Sequence, residues 1–167
     1  MDLIHTLGWQ EISIRLGTAT LAGAVLGLNR ELRGKPAGLR TNALVSLGSA
    51  LLILASLGIA TESDAALQAN VMSRVMQGII TGIGFLGAGV ILRDTDGTQV
   101  HGITTAATIW LTATLGVLCG VGMWPVALIG VGLTLMILVF GRPLDKFLHR
   151  KFPKLTEHNR DDVPPHV

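Results

Sequence analysis

The chain has 167 residues, of which 49% are hydrophobic and 14% charged, whereas soluble domains carry about 25% charged residues. Thirteen Lys and Arg against eleven Asp and Glu leave a net charge of +2, too small to argue for nucleic acid. The single Cys119 leaves no disulfide framework and no Cys/His metal cluster, and it reads as a small packing residue. Between Gly97 and Gly141 there is no Asp, Glu, Lys or Arg, enough for two bilayer crossings at about 20 residues each. The composition therefore predicts an all-α polytopic membrane protein in contact with the lipid bilayer.

Five transmembrane helices are predicted, near 12–29, 41–60, 72–92, 103–120 and 123–140. The first has Asp2 and Glu11 where a cleavable signal would start basic, and no small-residue cleavage site follows, so the span is expected to insert itself. Arg15 follows Glu11 by four residues, a favourable helical pair, and Ala19, Gly23 and Gly27 give this helix a small face. Arg74 lies near the outer end of helix three; both outer-end arginines, Arg15 and Arg74, can snorkel to the surface. Helix three contains Gly82-Ile83-Gly84-Phe85-Leu86-Gly87, the spacing of a dinucleotide-binding fingerprint. That fingerprint needs a preceding strand and an acid about 20 positions on, whereas this one lies inside a hydrophobic span and positions 97–141 hold no acid. In lipid such glycines let backbones touch. Gly78, Gly82, Gly84 and Gly87 on helix three, with Gly23 and Gly27 on helix one, are the predicted packing residues, and helices one and three are expected to cross closely. A kinked helix lining a cavity is the alternative. Helix four carries Thr104, Thr108 and Thr112 at spacing four, either interhelical glue or the lining of a path. Helix five is aliphatic and suits lipid or an oligomer contact.

After the 1–141 transmembrane domain, residues 142–167 are expected to form a basic amphipathic segment on anionic lipid, with Leu144, Phe147, Leu148 and Phe152 opposite Lys146, Arg150 and Lys151, and then a disordered tail. The basic links after helices one and five, against Glu62 and Asp64 between two and three, place the N-terminus outside and the C-terminus in the cytoplasm. Gly27-Leu28-Asn29-Arg30-Glu31 followed by Gly38-Leu39-Arg40-Thr41-Asn42-Ala43 is echoed by Gly89 to Asp94 followed by Gly102-Ile103-Thr104-Thr105-Ala106-Ala107. Helices one-two and three-four are thus possible parallel hairpin repeats. Packed so, Arg30, Glu31, Arg40, Thr41, Arg93, Asp94, Thr104 and Thr105 would share a cytoplasmic mouth, as one charge network or as independent orientation charges.

No Asp or Glu lies within a span, which weighs against an ion pump or a dehydrating magnesium transporter. No phosphate loop, metalloprotease helix or nucleophile elbow occurs either. No enzyme activity, cofactor or metal site is expected.

The four motifs Gly27 to Glu31, Gly38 to Thr41, Gly82 to Gly89 and Gly102 to Trp110 resemble, in order and spacing, the membrane domain of the MgtC/SapB family of bacterial inner-membrane proteins. The resemblance spans about residues 12–125. It implies a multi-pass inner-membrane protein that supports growth at low magnesium and survival under host stress by regulating other membrane proteins, the proton-driven ATP synthase among them. A partner integral membrane protein or a homo-oligomer would follow. A small cation channel or carrier with a Gly/Thr-lined path is the alternative. Two departures stand out. The MgtC type carries a soluble C-terminal domain where only residues 142–167 follow here, a short form. Asn42 stands where His is frequent, and His101 where a basic residue is common.

Overall fold

A computed structural model of the chain describes residues 3–60, 65–93 and 100–151. Glu62, Asp64, Asp94, Asp96 and the tail beyond Lys151 lie outside the described residues. Five helices run in order: α1 Leu3–Glu31, α2 Leu39–Ala60, α3 Ala65–Val90, α4 Ile103–Val121 and α5 Trp124–Lys151. Each is long and apolar enough to cross a membrane, the expected all-α polytopic architecture. In hydrocarbon a helix satisfies its own backbone groups, so long apolar runs have no better conformation.

Backbone breakers set the ends. Gly8, at φ 68° and ψ 153°, interrupts α1 near its start. The turn before α2 uses Gly34 at φ 62° and Ala37 at φ 56°. Between α3 and α4, β1 (Leu92–Arg93) pairs antiparallel with β2 (Val100–His101), Leu92 opposite His101. This ribbon ends α3 at Val90 rather than 92. Helix α3 also starts at Ala65 rather than 72, because Gln68 and Asn70 are helical although polar. Gly122 ends α4 in the left-handed conformation, its N–H donating to Cys119 O while Met123 N–H donates to Leu118 O, a glycine C-cap.

Residues 1–131 form one compact unit and 132–167 a second. In the second, α5 continues through Pro143 to Lys151, so Gly141-Arg142-Pro143 does not end the helix at 140. Proline removes one hydrogen bond and bends a helix without always stopping it.

In the first unit α2 and α4 are central, each packed on the other and on both α1 and α3, while α1 and α3 flank them. The α3 side holds an apolar cluster of Ile53, Ile79, Ile83, Ile109 and Ala113. The α1 side is built on glycine. A Cβ on Gly27 would lie 2.6 Å from Leu39 Cα, and one on Gly23 would collide with Asn42 O. From the other flank a Cβ on Gly116 would strike Ser46 O, and one on Gly120 would lie 2.9 Å from Ala50 O. Two Gly-x-x-x-Gly pairs, 23/27 and 116/120, therefore grip the backbone of α2 from both sides, the close approach that packing-driven association in lipid requires.

The expected crossing of helices one and three is not found. Gly78, Gly82 and Gly84 have nothing within 4 Å of an added Cβ, and Gly87 meets only Ala106 Cβ at 3.5 Å. Instead of its glycines α3 turns Ile79 and Ile83 inward, onto Ile53 of α2 and Ile109 and Ala113 of α4.

Gly116→Leu should push α2 off α4 and cost more than the ~1–3 kcal/mol typical of overpacking, because backbone is struck. Gly84→Leu should leave stability unchanged. Thermal unfolding of the two purified variants in detergent checks the contrast, and equal melting temperatures would refute it.

Candidate functional site

Along α1 the buried stripe Arg15, Ala19, Ala22, Leu26 and Arg30 faces α2 and α4. Its two arginines are separated by roughly 22 Å of helix, and each reaches a different end of α4.

Arg15, only 9% exposed, places Nε 2.8 Å from Glu11 Oε1 and donates from Nη1 to Gly120 O at 3.0 Å. That carbonyl belongs to the last turn of α4, where acceptors lack intrahelical donors and the helix dipole favours a cation. A Cβ on Gly122 would lie 2.8 Å from Arg15 Nη2, so the positive φ and the guanidinium both ask for glycine there. Arg15 thus caps α4 and does not snorkel. Arg74 is exposed, donating from Nε to Asn70 Oδ1 at 3.1 Å.

Arg30 is 4% exposed. Its Nε and Nη2 donate to Pro36 O at 3.2 and 3.1 Å, Nη1 donates to Thr108 Oγ1 at 3.2 Å, and Nη2 also donates to Thr105 Oγ1. One planar fork thereby joins the 32–38 turn to the first turns of α4, a geometry that suits guanidinium and not ammonium.

Asn42, fully buried, carries the linkage inward. Its Nδ2 donates to Ala37 O at 2.6 Å and Gly38 O at 3.0 Å, and Thr112 Oγ1 lies 2.9 Å from both Asn42 Oδ1 and Thr108 O. Thr108 Oγ1 donates to Thr104 O at 2.7 Å. A primary amide in hydrocarbon costs several kcal/mol unless bonded, and here both its nitrogen and its oxygen are engaged. One turn further along α2, Ser46 Oγ is buried without a hydrogen-bond partner, as is Asn29 Nδ2 on α1. At the surface of this end Glu31 Oε2 accepts from Leu39 N–H at 2.9 Å, capping α2 at its positive end.

The expected mouth residues therefore separate. Arg30 and Thr105 meet inside the seam, Glu31 caps α2, and Arg40 and Thr41 are exposed on its first turn. Thr104 is exposed and lends only its carbonyl. The buried hydroxyl face is Thr105, Thr108 and Thr112, one residue round from the spacing-four stripe. The Arg93 side chain and Asp94 lie outside the described residues. Among the described residues the ion pair is Glu11–Arg15, and no group of three His, Cys, Asp or Glu could hold a metal ion. Asn42 and Ser46 were the residues that spacing alone did not single out. For Asn42 the signal was available, since an amide within an apolar span must find partners.

The two hairpins agree where their second helices begin, with Asn42 N–H donating to Gly38 O at 3.2 Å and Ala106 N–H to Gly102 O at 2.9 Å. Their turns differ. One has left-handed residues at Gly34 and Ala37, and the other is a strand ribbon leading to Gly102 at φ 92°.

Residues 16–147, which include the whole seam from Arg30 to Thr112, match the family described as the MgtC family. The chain belongs to the MgtC family. It is 43% identical over 166 residues to Protein SrpB of Synechococcus elongatus, covering 94% of this chain and 90% of that one. It is 46% identical over 115 residues to Protein MgtC of Salmonella typhimurium, covering 69% of this chain and 46% of that one. With YhiD of Escherichia coli, described as a putative magnesium transporter, identity is 40% over 129 residues, covering 77% of this chain and 59% of that one. The chain thus spans nearly all of SrpB but about half of the MgtC protein. No solved structure matches it. Family and helices together make it a multi-pass membrane protein.

Arg30→Lys should destabilise this MgtC-family chain nearly as much as Arg30→Ala, by about 3 kcal/mol, because one ammonium cannot serve Pro36, Thr105 and Thr108 together. Thermal unfolding in detergent reads this. For Asn42→Ala and Thr112→Val, a double-mutant cycle should give a coupling of about 0.6–1.7 kcal/mol; zero coupling would mean the bond contributes nothing.

Proposed function

We propose that this MgtC-family protein is a membrane-embedded adaptor that regulates other integral membrane proteins during magnesium limitation or host stress, with the proton-driven ATP synthase as a candidate partner. It lies in the bacterial inner membrane with its N-terminus outside, its 32–38 turn and C-terminus in the cytoplasm. The observation that carries this reading is how the seam uses its polar groups. Arg30, Asn42, Thr105, Thr108 and Thr112 bond one another and nearby carbonyls, whereas a permeation path needs polar groups free to replace an ion's hydration. Beside that rigid end, Arg40 and Thr41 stand exposed on a turn whose position is set by Glu31 and Asn42. They present a charge and a hydroxyl to a partner at the cytoplasmic surface.

A small cation channel or carrier remains the second reading. The unpartnered Ser46 hydroxyl within the seam favours it, as does the description of YhiD as a putative magnesium transporter.

In cells lacking the protein, growth at low magnesium should be restored by the intact chain and not by Arg40→Glu, although that variant unfolds at the parent's temperature. Rescue by Arg40→Glu would remove this surface from the function. Magnesium flux into vesicles containing only the purified protein would replace the adaptor reading with the second one.

A further inference from the structure

Helix α3 is the least covered of the four spans α1 to α4. Within its apolar window 11% of residues are buried, against 39% in α2 and 50% in α4. Its inward stripe is Ile79, Ile83 and Gly87, and the opposite face carries Gln77, Gly78, Thr81, Gly82 and Phe85, all exposed, Phe85 by 82%. Two features of that face do not suit lipid. The first is polarity near the middle of the span Ala66–Val90: the Gln77 amide makes one long side-chain bond among the described residues, Nε2 to Ser73 Oγ at 3.4 Å. A primary amide has two donors and an acceptor oxygen, and leaving them in hydrocarbon is costly. The second is the unfilled pair Gly78-x-x-x-Gly82. The other two such pairs considered above, 23/27 and 116/120, each receive helix backbone, while around Gly78 and Gly82 nothing lies within 4 Å of an added Cβ.

We propose that this face of α3 is the contact between two copies of the chain, crossing at Gly78 and Gly82. Copies inserted with the same topology are related by a two-fold axis along the membrane normal, so each residue on the axis meets its own counterpart. The face suits that rule by its charge and hydrogen-bonding character. From Gln77 to Ala88 it carries no charge, so no like charges meet and no oppositely charged partner is required. An amide and a hydroxyl are each donor and acceptor, so Gln77 and Thr81 can bond their own counterparts, and paired glycines let the backbones close. Arg74 lies a turn nearer the helix N-terminus, already bonded to Asn70, and its side chain leans toward that end, away from the crossing. This inference is independent of the adaptor reading.

Cysteine crosslinking in native membranes tests it, with Cys119→Ala as background. Thr81→Cys should give a band of twice the chain's mass with a short bis-maleimide, and Leu21→Cys, on the exposed face of α1, should not. Gly78→Leu with Gly82→Leu, added to Thr81→Cys, should abolish that band without lowering the melting temperature, since no described residue lies within 4 Å of a Cβ added at either glycine. Gln77→Leu should weaken dimer energy transfer between labelled copies in vesicles by about threefold to tenfold. Absence of the doubled band from Thr81→Cys overturns the proposal. So does a crosslink of any other mass, which would assign the face to a different membrane protein.

Discussion

The close approach of the α2 backbone to α1 on one flank and α4 on the other is the constraint on which the rest of this structure depends. Between apolar helices in lipid there is little hydrophobic drive, so association rests on packing and hydrogen bonds. Glycines 23, 27, 116 and 120 remove the side chains that would hold the backbones apart. Once they are removed, Thr112 comes within 2.9 Å of Asn42 across the α2/α4 contact. The same approach lets Arg30 reach from α1 past the 32–38 turn to Thr105 and Thr108. Polar bonding follows from glycine packing here, and it then locks the register that packing alone would leave loose.

The two buried arginines show how one chemistry serves opposite ends of a helix. At the C-terminal end of α4 the dipole welcomes a cation, and Arg15 needs little more than Gly120 O and Glu11. At the N-terminal end the dipole opposes one. Arg30 is held there by the carbonyl of Pro36 and two threonine hydroxyls, so its position depends on a turn that is itself fixed by Asn42. The exposed Arg40 and Thr41 inherit their placement from this chain of bonds. The proposed regulation through a surface of that kind requires a stiff support more than an open path.

The unequal use of glycine also divides the molecule. On α1 and α4 the small faces are filled by the chain itself, whereas on α3 they are left open beside an amide and a hydroxyl. Polar groups left in hydrocarbon are costly, so an α3 surface built this way is what supports the proposed pairing of two copies.

Helix number and the membrane setting were legible in the sequence because hydropathy over about 20 residues is a local property. Family membership was legible too, because the glycine and threonine motifs are short and ordered. Which glycine faces would be filled was not. Gly23/Gly27 and Gly78/Gly82 read alike as sequence, and only the packing in space, with backbone of α2 and the turn before it against the first pair and no described residue within 4 Å of an added Cβ on the second, decided between them. The fate of Arg30 was likewise tertiary. Its sequence neighbours are Glu31, Arg33 and Lys35, which suggest a surface charge cluster, while its partners Thr105 and Thr108 lie more than seventy residues away. The sequence by itself determined that five apolar helices must cross a bilayer, since no other conformation satisfies their backbone there. Only the tertiary structure decided which polar side chains are spent inside the bundle and which remain exposed, since a hydrogen bond depends on distances in space.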